Sequence, residues 1–158
     1  MSETVGIDNL LRVFQKKFYQ LLIIAGSNSK KKSLLLKLLT KDHNFFYINL
    51  NLELAQRLMT IPVHERPLLV SQCIDEIVKE INEERLIFDH IEILFEKPLK
   101  VNPLALLKNV SRYKKLVTIW SGEIRDDVLT YAKPGHPEYV KYYIEPDFTA
   151  LDINRIKL

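Results

Sequence analysis

Apolar and polar residues alternate with two periods along the chain, and the changes of period mark out strands and helices. Five consecutive apolar residues, Leu21 to Ala25, carry no charge, as expected of a strand buried on both faces. Gly26 ends that run, and Leu34, Leu35, Leu38 and Leu39 then recur at helical spacing. Upstream, Ile7, Leu10, Leu11, Phe14 and Phe18 fall on one face of a helix over 8–19. Phe45 to Leu50 is rich in aromatic and branched residues and predicts a second strand. Asn51 to Met59 reads as a short helix with Leu52, Ala55 and Met59 on its apolar side, followed by a proline-containing loop over 60–67.

Leu69, Val70, Cys73, Ile74, Ile77, Val78 and Ile81 give the clearest amphipathic helix of the chain. Leu86 to Phe88 predicts a strand closed by Asp89, and Ile91 to Phe95 continues as an apolar patch broken by Glu92. Asn102 before Pro103 is a strong N-cap and first-turn pair, opening a helix to about Tyr113 with Leu104, Leu107 and Val110 inward. Leu116 to Trp120 is a fourth strand. Ser121 to Pro137 reads as a loop carrying the turn pair Pro134-Gly135, and Tyr139 to Ile144 as the last strand. The expected class is α/β, a three-layer parallel sheet of about five strands like that of P-loop NTPases. One domain over 1–158 is expected, with its N-terminal helix at 8–19, its core at 20–145 and a tail at 146–158 that forms a short helix or lies on the surface.

The strand, glycine and helix around Gly26 form the scaffold of a phosphate-binding loop, G-x-x-x-x-G-K-[ST]. The eight positions are Gly26, Ser27, Asn28, Ser29, Lys30, Lys31, Lys32 and Ser33. Gly26, Lys32 and Ser33 match, whereas Lys31 stands where the second glycine belongs. Amides at a helix N-terminus attract anionic oxygens; Lys32 would reach the β/γ-phosphates of ATP and Ser33 would ligate Mg²⁺. If Lys31 adopts a glycine-like backbone, the strain is ~1–3 kcal/mol, which weakens binding roughly 5- to 150-fold. The competing account of the same stretch is a solvated lysine cluster at an ordinary strand-to-helix turn.

Ligands of parallel α/β sheets bind at the carboxyl ends of strands, and Gly26, Asp89 and Ser121 all follow strand ends. Asp89 is the candidate metal-site acid; otherwise it is a polar strand-end cap. Many ATPases of this kind carry Glu directly after that acid, but here the position is His90, a candidate proton carrier. Glu92 lies three residues beyond Asp89 and could point the wrong way. Thr118 and, better, Ser121 could place a hydroxyl near the γ-phosphate. Arg112, with Arg125 as runner-up, is a candidate for charge donated to a neighbouring subunit's phosphate. His43, His64, His90 and His136 have no metal-ligand spacing, and no G-x-S-x-G nucleophile motif occurs.

Composition narrows the classes further. The 158 residues are 47% hydrophobic and 27% charged, with net charge +3 and pI near 8.9, which permits an acidic partner without demanding nucleic acid. The single cysteine, Cys73, excludes an internal disulfide and a cysteine-rich zinc site. No apolar run approaches the ~18 residues of a membrane span, and Met1 to Asp8 lacks the pattern of a signal peptide. A cytoplasmic protein is expected.

Four stretches, YINLNLELAQRL (Tyr47 to Leu58), ERPLLV (Glu65 to Val70), IFDHIEILF (Ile87 to Phe95) and YAKPGHPEYVKY (Tyr131 to Tyr142), carry a resemblance over nearly the whole chain. The sequence resembles the BrxF family, small P-loop proteins of type 3 BREX phage-resistance systems. The resemblance implies a AAA+-like core that works beside other BREX components in bacterial defence. It carries phosphate-loop roles onto Gly26, Lys32 and Ser33 and the metal-site role onto Asp89. The chain after the last expected strand is too short for the helical lid of AAA+ proteins. Three readings follow: an ATP- and Mg²⁺-binding, slowly hydrolysing module with nucleotide-dependent self-assembly; a non-catalytic interaction subunit on a degenerate P-loop fold; and a DNA-binding accessory subunit resting on basicity and Lys30 to Lys32.

Overall fold

The computed structural model describes residues 3–158; Met1 and Ser2, part of the segment read for a leader, lie outside it. A short strand β1 (Val5–Gly6) leads into α1 (Ile7–Phe14), then β2 (Leu21–Ala25), α2 (Ser29–Asp42), β3 (Phe46–Asn49), α3 (Leu50–Leu58), α4 (Arg66–Lys79) and β4 (Arg85–Asp89). After two 3₁₀ turns come α5 (Pro103–Ser111) and β5 (Lys115–Trp120). The last part of the chain is all strand and turn: β6 (Gly122–Arg125), β7 (Val128–Tyr131), β8 (Val140–Tyr143), β9 (Thr149–Asp152) and β10 (Ile156–Lys157).

The architecture is α/β. Five strands form a parallel sheet in the order β3-β4-β5-β2-β9. Alternation along each strand splits its side chains between two cores. Leu21, Ile23 and Ala25 join Leu86, Phe88, Leu116 and Trp120 against α3, α4 and α5. Leu22 and Ile24 join Ile87, Val117 and Ile119 against α1 and α2. Both faces of the sheet are therefore covered by helices, which explains why β2 reads as an unbroken apolar run. Among the described residues no helix is long and apolar enough to cross a membrane.

Several elements differ from the sequence expectation. The fifth strand of the sheet is β9, from the segment expected as a surface tail, and it pairs with β2 through Leu22↔Thr149 to Ala25↔Asp152. The strand expected near 139–144 exists as β8, but it closes an antiparallel meander, β6-β7-β8, outside the main sheet. The expected loop over 121–137 contains the β6–β7 hairpin of that meander. α1 stops at Phe14, and Phe18 is 65% exposed rather than part of the apolar face. α3 is turned over: Leu50, Leu54 and Leu58 are buried, whereas Leu52 and Met59 are 55% and 76% exposed. Both stripes have helical spacing, and the sheet selects the one that follows directly from β3.

The meander is fastened to the sheet at Gly122. A Cβ there would lie 1.9 Å from the Thr130 carbonyl oxygen, and the Trp120 indole N–H donates to that same oxygen at 2.9 Å. Phe95 stacks on Tyr131 at 3.7 Å between ring centroids and meets Trp120 edge-on.

Candidate functional site

β2 delivers Gly26 to the carboxyl edge of the sheet, as the apolar run requires. Gly26 adopts φ +122°, a backbone open to glycine, and its N–H donates to the Gly122 carbonyl at 3.1 Å. The loop that follows is short. Asn28 caps α2 by accepting the Lys31 N–H on its side-chain oxygen at 3.1 Å, and the helix begins at Ser29. Ser29 to Ser33 are therefore the first helical residues, not the second half of an open loop. Lys31 is helical and carries no left-handed strain, so the expected cost at that position does not arise. The physical reason is local: Asn28 is a strong cap and no glycine follows to hold the chain open.

A cleft of about 610 Å³ opens beside this turn. Gly26, Ser27, Asn28, Ser29 and Lys32 line one side, and Ser121, Gly122 and Arg125 line another. Asp152 and Asn154 complete the wall. The first two amides of α2, those of Ser29 and Lys30, have no intrahelical acceptor by helix geometry. Asn154 clasps the turn: its side-chain oxygen accepts from Asn28 Nδ2 at 3.2 Å and its carbonyl accepts from Lys31 Nζ at 3.3 Å. Lys31 is thus engaged at the rim, Lys30 faces solvent, and Ser33 is exposed outside the cleft lining.

Lys32 is the residue of the loop that reaches inward. Its Nζ lies 3.0 Å from Asp89 Oδ1, although β5 separates the two parent strands. Strand alternation explains the meeting. Ile87 packs against α2, so Asp89, two residues on, faces the same way. Asp89 is 3% exposed and fully engaged. Besides Lys32, Oδ1 accepts the His90 N–H at 3.0 Å and Oδ2 accepts the Tyr47 hydroxyl at 2.6 Å. Burial alone would push this carboxyl up, but the Tyr47 hydrogen bond and the Lys32 ammonium outweigh it and hold it below the usual carboxylate range. Tyr47 shifts the other way, well above an ordinary phenol, through burial first and then its bond to the Asp89 charge.

The turn after Asp89 also brings in a residue whose direction the sequence leaves open. His90 sits at φ +53° and reverses the chain into a 3₁₀ turn over Glu92–Phe95. Glu92 consequently returns to the site edge, where Ser121 Oγ donates to Oε1 and Asn51 Nδ2 donates to Oε2, each at 3.2 Å. Asn51 secures the turn further, donating its N–H to the His90 carbonyl at 2.8 Å and accepting the Ile93 N–H at 2.8 Å. The Glu92 carboxylate, rather than the His90 ring, is the group held beside Ser121. The His90 ring is half exposed, with Nε2 3.5 Å from Asp89 Oδ2.

The remaining candidates divide. Ser121 lines the cleft as expected. Thr118 does not reach it: its neighbours Leu116 and Trp120 face α5, and its buried hydroxyl has no hydrogen-bond partner among the described residues. Arg112 ends α5 at the amino edge of the sheet, over the Phe18 ring at 5.2 Å, and does not join its own chain's site. Arg125, the runner-up, is the arginine on the cleft wall. Tyr47, Asn51, Asp152 and Asn154 were not anticipated. Tyr47 was legible in principle, because Ile48 is apolar and buried, which turns Tyr47 to the α2 side. Asp152 and Asn154 carry only a short local cap, Asp152 Oδ1 accepting the Asn154 N–H at 2.8 Å, and nothing that announces a long-range role.

The start of α2, Lys32 and Arg125 line one cleft and suit an anion such as phosphate, although Lys32 is paired with Asp89 and Arg125 lies 3.9 Å from Glu123, which lines the cleft with Asp152. They do not suit Mg²⁺ held jointly by Ser33 and Asp89, because Ser33 faces solvent while Asp89 is buried behind Lys32. Compared with known proteins, the chain matches no family model, and no curated protein or solved structure aligns with it significantly.

Proposed function

We propose that this chain is a nucleotide-binding module, related to P-loop and AAA+-like cores, that takes the phosphates of ATP into the cleft at the carboxyl edge of its sheet. The observation that carries this reading is the 3.0 Å contact between Lys32 and Asp89 beside the capped start of α2. A loop lysine and a strand-end acid meet there, as they would in a phosphate site, from sequence positions that have no local reason to do so. Lys32 would exchange its Asp89 partner for phosphate oxygens, and the Ser29 and Lys30 amides would complete the cradle. Hydrolysis is not part of the proposal, because the hydroxyl-and-acid pair for Mg²⁺ is not assembled.

Titration of labelled ATP against wild type and Lys32→Ala tests the reading. A loss of at least about tenfold, ~1.4 kcal/mol, is expected; equal binding by the two proteins would sink it. The resemblance to BrxF proteins supports a place beside other BREX components in phage defence, and copurification with those components from a host carrying the whole system is the corresponding test.

One observation favours the second reading, a non-catalytic interaction subunit. α2 begins three residues past Gly26, and Ser33 is exposed, so the phosphate loop has been rebuilt as an ordinary helix start. Absence of ATP binding at millimolar concentration would select this reading. The DNA reading keeps the mild basicity and the exposed Lys30, while Lys32 is held by Asp89 and Lys31 by Asn154.

A further inference from the structure

The excess positive charge of the molecule lies on one side of the sheet. The elements packed on the Leu22 side are α1, α2, the 3₁₀ turn over Ile153–Arg155 and β10, which share one core. Residues 3–45 and 152–158, which supply them, hold ten Lys/Arg against four Asp/Glu. The intervening residues 46–151 hold thirteen against sixteen.

α2 concentrates this charge. From Ser29 to Lys41 it carries five lysines and no carboxylate. Leu35 and Leu39 are its buried residues. At about 100° per residue, Lys30, Leu34, Lys37 and Lys41 fall within about 60° of one another on the opposite side, and all four are exposed. Exposed Ser33 and Thr40 flank that line. The three lysines span roughly 16 Å of helix axis. Lys31 and Lys32 are engaged by Asn154 and Asp89, whereas Lys30, Lys37 and Lys41 make no ion pair or side-chain hydrogen bond among the described residues. The carboxylates of this side stand off the line. Asp42 projects about a third of a turn away from it, Asp8 lies 3.6 Å from His43, Asp152 belongs to the cleft wall, and Glu3 precedes β1.

We infer that this outer line of α2 docks on the phosphates of double-stranded nucleic acid without reading its sequence. A duplex presents about one charge per 1.7 Å of its axis, dense enough to meet every free ammonium group of a rigid helix at once. The outward face of α2 has no aromatic ring on which an unstacked base could lie, so a single strand would gain its charge attraction alone. Leu34, 48% exposed, is too little apolar surface to anchor the face in a bilayer. The three lysine side chains lie outside the cleft lining, so this surface stands independently of the ATP reading.

Fluorescence anisotropy with a labelled DNA duplex of about twenty base pairs, the matching RNA duplex and one DNA strand tests this. Wild type should bind a duplex with micromolar affinity at about 0.05 M salt, and three phosphate contacts should cost at least about fortyfold on going to about 0.2 M. The single strand should bind at least about fivefold more weakly. Lys37→Glu with Lys41→Glu should lower duplex affinity at least about tenfold and flatten the slope of log affinity against log salt by about two. Lys97→Glu with Lys133→Glu makes the same change in net charge at exposed positions away from α2, and should bind within about threefold of wild type. Circular dichroism confirms that each variant is folded, and the ATP titration of the α2 variant should match that of wild type. Preference between the DNA and RNA duplexes identifies the source of the phosphates, and either supports the inference. A wild type that binds no duplex at the lower salt, or an equal loss in the two charge-reversed variants, overturns it. So does binding of the single strand, of polyglutamate or of phosphatidylserine vesicles as tightly as the duplex.

Discussion

After β2 the chain turns through a glycine at φ +122° and winds at once into a capped helix; after β4 it turns through a histidine at φ +53° into a 3₁₀ turn. Both turns leave the same edge of the sheet and meet through Lys32 and Asp89. The first uses a residue suited to its backbone and a good cap. The second holds a side-chain-bearing residue in the left-handed region, next to a buried carboxylate with every oxygen engaged. Strain is kept where the structure around it over-determines the geometry. In this site it has settled at the acid, whereas the motif pattern pointed to the loop.

The largest effect should come from removing the acid that joins the two turns. Asp89→Ala leaves the Lys32 ammonium and the Tyr47 hydroxyl without their acceptor. Breaking a buried pair costs ~3–5 kcal/mol, but the Lys32 side chain is 31% exposed, so about 2–3 kcal/mol is expected after allowing for solvent. It should be read as a lower urea midpoint at unchanged slope. The same group sets a pH dependence. Because its folded pKa is depressed, its contribution is present above the ordinary Asp value of about 3.9 and is lost as pH falls through the folded value. The stability gap between wild type and Asp89→Asn should be level above about pH 5 and close on acidification; a gap that widens instead would show that Asp89 is not held as an anion.

Gly26→Ala comes next. Its Cβ would lie 2.9 Å from Ile153 Cγ2 at a backbone that side chains resist, and about 1–3 kcal/mol of destabilisation is expected from the same urea measurement. A loss below measurement error would place the turn among those that can relax.

The smallest pair sharpens the comparison most, because the signs are opposite. His90→Gly relieves a left-handed conformation that costs ~1–2 kcal/mol, partly offset by the freer unfolded chain, and should raise stability by about 0.5–1 kcal/mol. Lys31→Gly places glycine in the first turn of a helix and should lower stability by about 0.5–1 kcal/mol without tightening ATP binding. If Lys31→Gly tightened binding, the strain would lie in the loop after all.

The near-continuous apolar runs of β2, β4 and β5 were legible because a strand covered on both sides has no polar face to confuse it. Asn102 and Pro103 announced α5 by local chemistry alone. Elements whose identity depends on a distant partner were not legible. β9 is four residues, and only its place beside β2 makes it a core strand. The β6–β7 hairpin turns through Asp126 and Asp127, both at positive φ, without the Asn-Gly or Asp-Gly pair that usually marks such a turn. In the site, Lys32 and Asp89 follow from motif spacing and the side of Tyr47 from strand alternation, whereas Glu92 reaches Ser121 through a strained turn that composition does not encode.

The placement of β9 also bears on the order in which the molecule can form. β2 lies between β5 and β9, and both partners come from nearly a hundred or more positions downstream, Leu21 pairing with Leu116 and Leu22 with Thr149. Pairings of such long range must meet their loop-closure cost before they return any stability, which slows folding. Until residues 149–152 dock, β2 exposes an unpaired apolar edge and the Asn154 clasp over the cleft cannot close. An ensemble caught at that stage would hold most of the helices and an open strand edge, and in that state the protein is most exposed to aggregation.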